Sequence, residues 1–409
     1  MKKKKPELLI PAKGPEEFNT ALHYGADAIY VGGETMSLRA GARNFSDDEL
    51  KAAVTSAHEQ NVKVYVTANI LAHNGDLKEA EEYFRVLNEV RPDAILIADP
   101  GVFSLAKELC PDTDLHISTQ ANNTNYRTVL FWMKEGAKRV VTARELSLAE
   151  IKEIRDHIPD DMEIESFVHG AMCISYSGRC LLSNYFTGRD SNHGECTHPC
   201  RWEYAVSEAT RPGQYLPIEE NERGTFIFNS KDLCMVDHIP DLIDAGIDSL
   251  KVEGRMKTAL YVAVTARTYR QAIDDYFESP DKYRENLPLY REEIRKCTTR
   301  DFCTGFYYGK PDGSSQIYEG STYFKEYIYL GVVQDTDEQG RAVFCQKNKF
   351  CVGDRIEIMK RDLKNTEAEV LSIHTPDRGE AESAPHPKEE LHVSFSCQAE
   401  KGDIIRMKP

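Results

Sequence analysis

From residue 8 to residue 253 the chain repeats one pattern, a short apolar run followed by an amphipathic helical stretch, and no other feature restricts the fold as much. Nine runs read as strands: 8–10, 28–31, 63–67, 94–98, 115–118, 139–142, 163–168, 226–228 and 250–253. Strands separated by helices pair in parallel, because each crossover carries the chain back to its starting edge. Two of the crossovers open on Ser-x-x-Glu, at Ser46/Glu49 and Ser147/Glu150, the pattern in which serine and glutamate cap a helix reciprocally. The expected fold is α/β, a TIM-like (β/α) barrel. Nine runs exceed eight staves by one, so one run belongs to an insertion or closes the barrel end. The alternative is an open doubly wound sheet, whose dinucleotide-binding version lacks the Gly-x-Gly-x-x-Gly that should follow an early strand.

The alternation stops between Val168 and Phe226, in a stretch rich in cysteine, glycine and polar residues. We read 169–225 as an insertion in a strand-to-helix loop, the position that faces the catalytic mouth of such a barrel. Residues 267–296 are helical, charged and expected to complete the first domain. Beyond Tyr323 come short runs at 327–333, 342–346, 355–359, 367–373, 391–396 and 403–407, read as a small C-terminal antiparallel β-barrel. The Pro- and acid-rich stretch 377–390 reads as an exposed loop. The expected domains are a barrel at 1–280, a connecting segment at 281–325 and the small β-barrel at 326–409.

No run approaches the roughly 18 apolar residues that span a bilayer. The basic start Met1–Lys5 is followed by too few apolar residues before Pro11 to serve as a secretion signal. Eleven cysteines, an odd number with no export signal, argue for reduced thiols rather than a disulfide framework, and for the cytoplasm. A net charge of −16 argues against a nonspecific coat on nucleic acid, while leaving room for a local basic surface.

Four of the cysteines lie in the insertion. Cys173, Cys180, Cys196 and Cys200 are separated by six, fifteen and three residues. Four thiolates complete either a tetrahedral zinc site or a cubane iron–sulfur cluster, and this spacing matches neither paired zinc knuckles nor a ferredoxin run. A polar, Gly-rich loop offers little core in which to bury four sulfurs as apolar side chains. Cys234, at the expected start of a helix after Asn229-Ser230-Lys231-Asp232-Leu233, is a rival ligand or a helix-core residue. His193 and His198 read as hydrogen-bonding neighbours or surface residues, and the other six cysteines as structural.

The stretches Glu165-Ser166-Phe167-Val168-His169-Gly170-Ala171-Met172-Cys173 and Gly178-Arg179-Cys180-Leu181-Leu182-Ser183 resemble the signature of the collagenase-like peptidase family. So do 37–45, 194–202, Asn229-Ser230-Lys231-Asp232-Leu233 and Leu250-Lys251-Val252-Glu253-Gly254-Arg255; the resemblance runs through essentially the whole chain. Within that family it is similar to the branch engaged in tRNA hydroxylation. The resemblance implies conversion of the wobble uridine to 5-hydroxyuridine, dependence on prephenate, and a [4Fe-4S] cluster on Cys173, Cys180, Cys196 and Cys200. Relatives act on ribosomal RNA and ubiquinone precursors, and some take a later fourth ligand. Lys13 departs from the family's usual Pro-Ala-Gly in the first loop.

Residues at strand ends on the presumed mouth supply the remaining candidates: Asn69, Gln120, Arg144, Lys251, Glu253 and Arg255 for substrate, with Arg39 and Arg43 from an early loop. Glu165 and His169 are the acid–base candidates. Arginines suit a dicarboxylate such as prephenate because they bind carboxylates bidentately; the plain alternative is an ion-pair network closing the barrel end. Arg179, Arg189, Arg201 and Lys257 read as a basic rim for tRNA phosphates. Two other functions stay open. A peptidase would use Cys173 with His169, in competition with a metal for one thiol, and no zinc-protease or serine-elbow motif is present. A non-catalytic RNA-binding or assembly factor, docking a partner subunit, is the other.

Overall fold

A computed structural model describes residues 4–38, 43–173, 175–202, 206–207, 215–216, 230–297, 300–311, 315 and 326–409. They fall into two compact units: 1–15, 27–256 and 300–323 form the first, and 16–26, 257–299 and 324–409 the second.

The first unit is a closed eight-stranded parallel barrel. Its staves are β1 (Glu7–Pro11), β2 (Ala28–Gly32), β3 (Lys63–Ala68), β4 (Ala94–Ile97), β5 (Asp114–Ile117), β6 (Arg139–Val141) and β7 (Glu163–Gly170), and the eighth is Ser249–Val252. Each pairs in parallel with its neighbour, and the eighth pairs with both β7 and β1, closing the ring and removing the open-sheet alternative. Between them run α2 (Asp47–His58), α3 (Leu77–Val90), α4 (Pro100–Leu109), α5 (Tyr126–Glu135) and α6 (Leu148–His157), and past β7 come the short α7 (Leu182–Thr187) and α8 (Ile239–Asp244). The capping boxes expected at Ser46/Glu49 and Ser147/Glu150 both form, each worth about 1 kcal/mol to its helix. The strands are buried on both faces, one against the helices and the other in the barrel interior, where Glu7, Tyr65, Arg139, Glu165 and Lys251 stand among the apolar residues.

The eight staves are eight of the nine expected runs. The ninth, 226–228, lies outside the described residues. Among the described residues of this unit, four short strands were not expected. After a small antiparallel hairpin of β8 (Val206–Ser207) and β9 (Tyr215–Leu216), β10 (Asp232–Cys234) pairs antiparallel with β7, Leu233 opposite Gly170 and Cys234 opposite His169. With Ser249–Val252 numbered β11, β12 (Phe302–Cys303) then pairs with β10. Cys234 therefore sits in a strand, not at a helix start. At His169 one edge of β7 is taken by Val252 of β11, so β10 occupies the other, which the short β6 uses only as far as Glu165.

The second unit gathers α1 (Pro15–His23, from Glu16 onward), α9 (Ala259–Glu278), α10 (Pro280–Ile294) and the C-terminal strands. Helices assigned from sequence to the barrel and the connecting segment thus cluster with the C-terminal strands. Arg267 of α9 and Glu293 of α10 are buried in one network with Arg406 of β22 (Ile404–Met407), which ties these helices to the sheet. All six expected strands are present, in β13 (Ile328–Val332), β15 (Ala342–Cys345), β17 (Arg355–Met359), β18 (Thr366–Thr375), β21 (Glu390–Phe395) and β22 (Ile404–Met407). With β14 (Asp335–Thr336) they form an antiparallel sheet ordered β13-β22-β17-β18-β21-β15-β14. Leu330, Phe344, Ile358, Val370, Val393 and Ile405 fill its core. The stretch 377–390 is not a plain loop: β19 (Gly379–Ala381) pairs with β18, and β20 (Ser383–Ala384) pairs with β16 (Phe350–Cys351), burying Ala384 completely.

Candidate functional site

Two charged layers occupy the barrel. Near the strand starts, Arg139 is 2% exposed and bonds Glu7 Oε1 at 2.6 Å, Glu163 Oε2 at 2.7 Å and Glu165 Oε2 at 3.1 Å. Tyr65 adds its hydroxyl to Glu7 at 2.7 Å. Burial pushes the Glu7 carboxyl up, but the charge and hydrogen bonds of Arg139 outweigh it and hold Glu7 below its ordinary value. Lys251 belongs to this network, its Nζ donating to Glu165 Oε1 at 2.6 Å, and it also faces upward into a pocket. Burial pulls the Lys251 ammonium down, and the Glu165 carboxylate offsets this only in part.

The pocket opens at the carboxyl ends of the strands, where barrel chemistry is usually housed. Asn69, Gln120, Arg144, Lys251, Glu253 and Arg255 all line it, so six of the candidate substrate residues converge. Tyr30, Leu38, Thr67, Ser118, Thr119 and Phe167 complete the wall. These sequence reasoning missed; Thr67 and Ser118 could have been found as polar residues closing apolar runs.

The six play different parts. Asn69 spans the rim, donating to Ser118 Oγ at 3.2 Å and accepting from the Leu38 amide at 3.4 Å. Arg255 is committed to the loop between β2 and α2 and to β3: it bonds Ser37 Oγ, Leu38 O, Thr67 Oγ1 and Asn44 Oδ1 at 2.5–3.2 Å. Gly32 makes room for it, since a Cβ there would stand 2.2 Å from Arg255 Nη2. Glu253 accepts from the Tyr30 hydroxyl at 3.3 Å. Arg144 lies 4.1 Å above the Phe167 ring, donates to Ala171 O at 2.9 Å, and reaches Cys173 Sγ at 3.9 Å. It links pocket to cysteine insertion.

The other candidates stand elsewhere. Glu165 is fully buried below the pocket wall, between Arg139 and Lys251. His169 is 1% exposed, its ring 5.5 Å from that of Phe302. Arg43 is exposed and pairs with Glu49 at 2.5 Å, while Arg39 lies outside the described residues. Of the expected basic rim, Arg189 is exposed and Arg179 bonds Asn122 Oδ1 at 2.7 Å; the Arg201 side chain is outside the described residues, and Lys257 belongs to the second unit.

The insertion is fastened to several strand ends at the barrel mouth. Asn122, in a left-handed conformation after β5, donates to Ser177 O at 2.8 Å. His193 bonds Asp76 Oδ2 at 3.2 Å and stacks on His73, and the Leu71 amide donates to Asn192 O. Within the insertion the Cys180 carbonyl accepts from Ser191 Oγ and Asn192 Nδ2, and Ser183 bonds across to Glu195 and Thr197. The segments carrying Cys180 and Cys196 are thereby laced together. Cys173 is exposed and Cys180, Cys196 and Cys200 are half-buried, none of them in a disulfide. Among the described residues no three His, Cys, Asp or Glu converge as around a single metal ion. Four thiols in one fastened insertion are the donor type that either a thiolate-ligated cluster or a zinc ion takes.

The sequence model of peptidase family U32 matches residues 13–317, and that of the family's C-terminal domain matches 325–406. The chain belongs to peptidase family U32. A protein of Bacillus subtilis called "tRNA hydroxylation protein P1" is 40% identical over 407 residues, covering 98% of this chain and 95% of that protein. An Escherichia coli member, "tRNA hydroxylation protein P", is 36% identical with 98% of each chain covered. Another E. coli member, "23S rRNA 5-hydroxycytidine C2501 synthase", is 35% identical over 66% of this chain and 40% of its own length. Among the described residues no helix is long and apolar enough to cross a membrane.

Proposed function

We propose that this chain is a cytoplasmic RNA-modifying enzyme that hydroxylates the wobble uridine of tRNA to 5-hydroxyuridine, with prephenate as co-substrate and a [4Fe-4S] cluster on Cys173, Cys180, Cys196 and Cys200. The supporting observation is the near full-length similarity, both domains included, to two proteins named for tRNA hydroxylation. The relative named for 5-hydroxycytidine supports the same chemistry on a pyrimidine of RNA. When bound, such a cluster supplies one-electron chemistry.

In this reading the pocket takes the dicarboxylate, with Arg144 as its guanidinium anchor and Lys251 as the second cation. Asn69 and Gln120 orient it from the rim, and Arg255 acts indirectly by holding the β2–α2 loop against the pocket. Arg144 also donates toward Cys173, so one residue stands between bound anion and thiolate.

The test is nucleoside mass spectrometry of tRNA from a host deleted of its own family members and complemented with this chain. Wild type restores 5-hydroxyuridine, and Cys173→Ser does not; tRNA unchanged by wild type removes the hydroxylase reading. Iron and sulfide assays on anaerobically purified protein test the cofactor separately, since a cluster requires both elements. Gelatin cleavage abolished by Cys173→Ser would favour the peptidase reading instead.

A further inference from the structure

We propose that Lys251 is an imine-forming amine, and that the pocket takes a 2-oxo acid whose carbonyl carbon condenses with Lys251 Nζ while Arg144 holds its carboxylate. The inference deepens the proposed function by naming the chemical class that the pocket accepts, and it rests on the pocket rather than on RNA.

The placement is specific. Lys251 is 3% exposed, yet it lines the pocket at the carboxyl end of β11. Its Nζ stands 4.6 Å from the centre of the Tyr30 ring and 5.4 Å from that of Phe167. Arg144 lies over the same Phe167 ring at 4.1 Å, so the amine and the guanidinium bracket one aromatic wall. Arg144 Nε is buried with no acceptor among the described residues, which leaves a donor for a carboxylate. A lysine becomes a nucleophile when it is desolvated or set beside another cation. Lys251 meets both conditions, because burial draws its ammonium down and Arg139 adds to that effect.

Glu165 completes the arrangement. Its Oε1 accepts from Lys251 Nζ at 2.6 Å, while Oε2 is paired with Arg139 at 3.1 Å. A carboxylate held by a second cation is ionised at the outset, so it can take a proton from the lysine. Glu165 takes one ammonium proton, the neutral amine forms the C–N bond as the carbonyl π pair moves to oxygen, and that oxygen takes up the proton from Glu165. Nitrogen passes its surplus proton to Glu165. The carbinolamine hydroxyl, protonated in turn by Glu165, leaves as water, and the nitrogen lone pair closes the C=N bond. One lysine ammonium and one ketone give one protonated imine and one water, Glu165 ends as it began, and no oxidant or reductant enters. The protonated imine then withdraws electrons from the adjacent carbon, activating the oxo acid for later chemistry.

The test is reductive trapping on the full chain without RNA. The protein is incubated with pyruvate, phenylpyruvate or prephenate, treated with borohydride, digested and mapped by mass spectrometry. The expected result is one reduced adduct per chain, confined to the peptide containing Lys251, and none with phenyllactate, which lacks the carbonyl. Lys251→Met should abolish the adduct and Glu165→Gln should slow its formation. No adduct with any of the three acids, or adducts spread evenly over surface lysines, overturns the proposal. The wild-type map decides this alone, so a poorly folding variant does not blur it. Failure of trapping in a chain that restores 5-hydroxyuridine sinks the imine only; trapping at Lys251 in a chain that leaves tRNA unmodified sinks the RNA reading only.

Discussion

Replacing Glu293 with Gln probes the ion-pair network inside the second unit. Glu293 is 1% exposed; its Oε1 accepts from Arg267 and, at 2.7 Å, from Arg406, and its Oε2 faces Lys296 Nζ at 3.2 Å and Asn365 Nδ2 at 3.3 Å. Burial alone raises the carboxyl's pKa, but Arg267, Arg406 and Lys296 outweigh it and bring it from 4.5 to about 2. That fall is worth about 3 kcal/mol of stability. Because the folded pKa is depressed, the contribution is fully present above pH 4.5 and is lost as the pH drops from there toward about 2. Glutamine keeps the shape and removes the charge, leaving buried Arg267 without its counter-ion and Arg406 with Glu357 alone, at a cost of about 3–5 kcal/mol. For a unit of this size the melting temperature should fall by roughly 10 °C at neutral pH. Scanning calorimetry of both proteins across an acid series checks this, and the gap should narrow below pH 4.5 as the wild-type carboxyl protonates. A gap under about 2 °C at neutral pH, or one unchanged by acid, refutes the reasoning.

Gly32→Ala puts a Cβ 2.2 Å from Arg255 Nη2 and 2.4 Å from Ser37 Oγ, so the β2–α2 loop must give way. A loss of about 1–3 kcal/mol in urea unfolding is expected, and an unchanged midpoint contradicts the packing described. Arg144→Gln removes the pocket's guanidinium and its bond to Ala171 O at 2.9 Å. Calorimetric titration should show 2-oxo acids binding about tenfold more weakly or worse, since hydrogen bonds to charged groups are worth about 1.5–3 kcal/mol. Equal affinity would place the carboxylate elsewhere.

The barrel was legible because its strands are long apolar runs separated by capped helices, and a polar residue just past an apolar run marks the mouth. Asn69, Gln120, Arg144 and Arg255 were found this way, and the pocket gathers all four. What stayed hidden was pairing at a distance. Nothing local ties Lys251 to Glu165, eighty-six positions apart, or shows that Arg255 is occupied by the β2–α2 loop rather than by a ligand. β10 was missed because Asn229-Ser230-Lys231-Asp232-Leu233 carries helix-start residues and the strand is only three residues long. Its stability comes from the β7 edge left vacant past β6, which is a tertiary fact. β20 was hidden by the prolines and acids around it, although its partner strand holds Ala384 in the core.

The chain leaves β7 at Gly170 and returns at Leu233, directly opposite. Geometrically the entire cysteine-bearing excursion is the loop of a hairpin. Both of its ends are clamped by the same pair of residues, so its length and content can change without moving any stave of the barrel. A short turn grafted between Gly170 and Leu233 should leave a folded, empty scaffold, and another excursion spliced there would present different chemistry to the same pocket. The barrel and its reactive attachment can therefore evolve as separable parts.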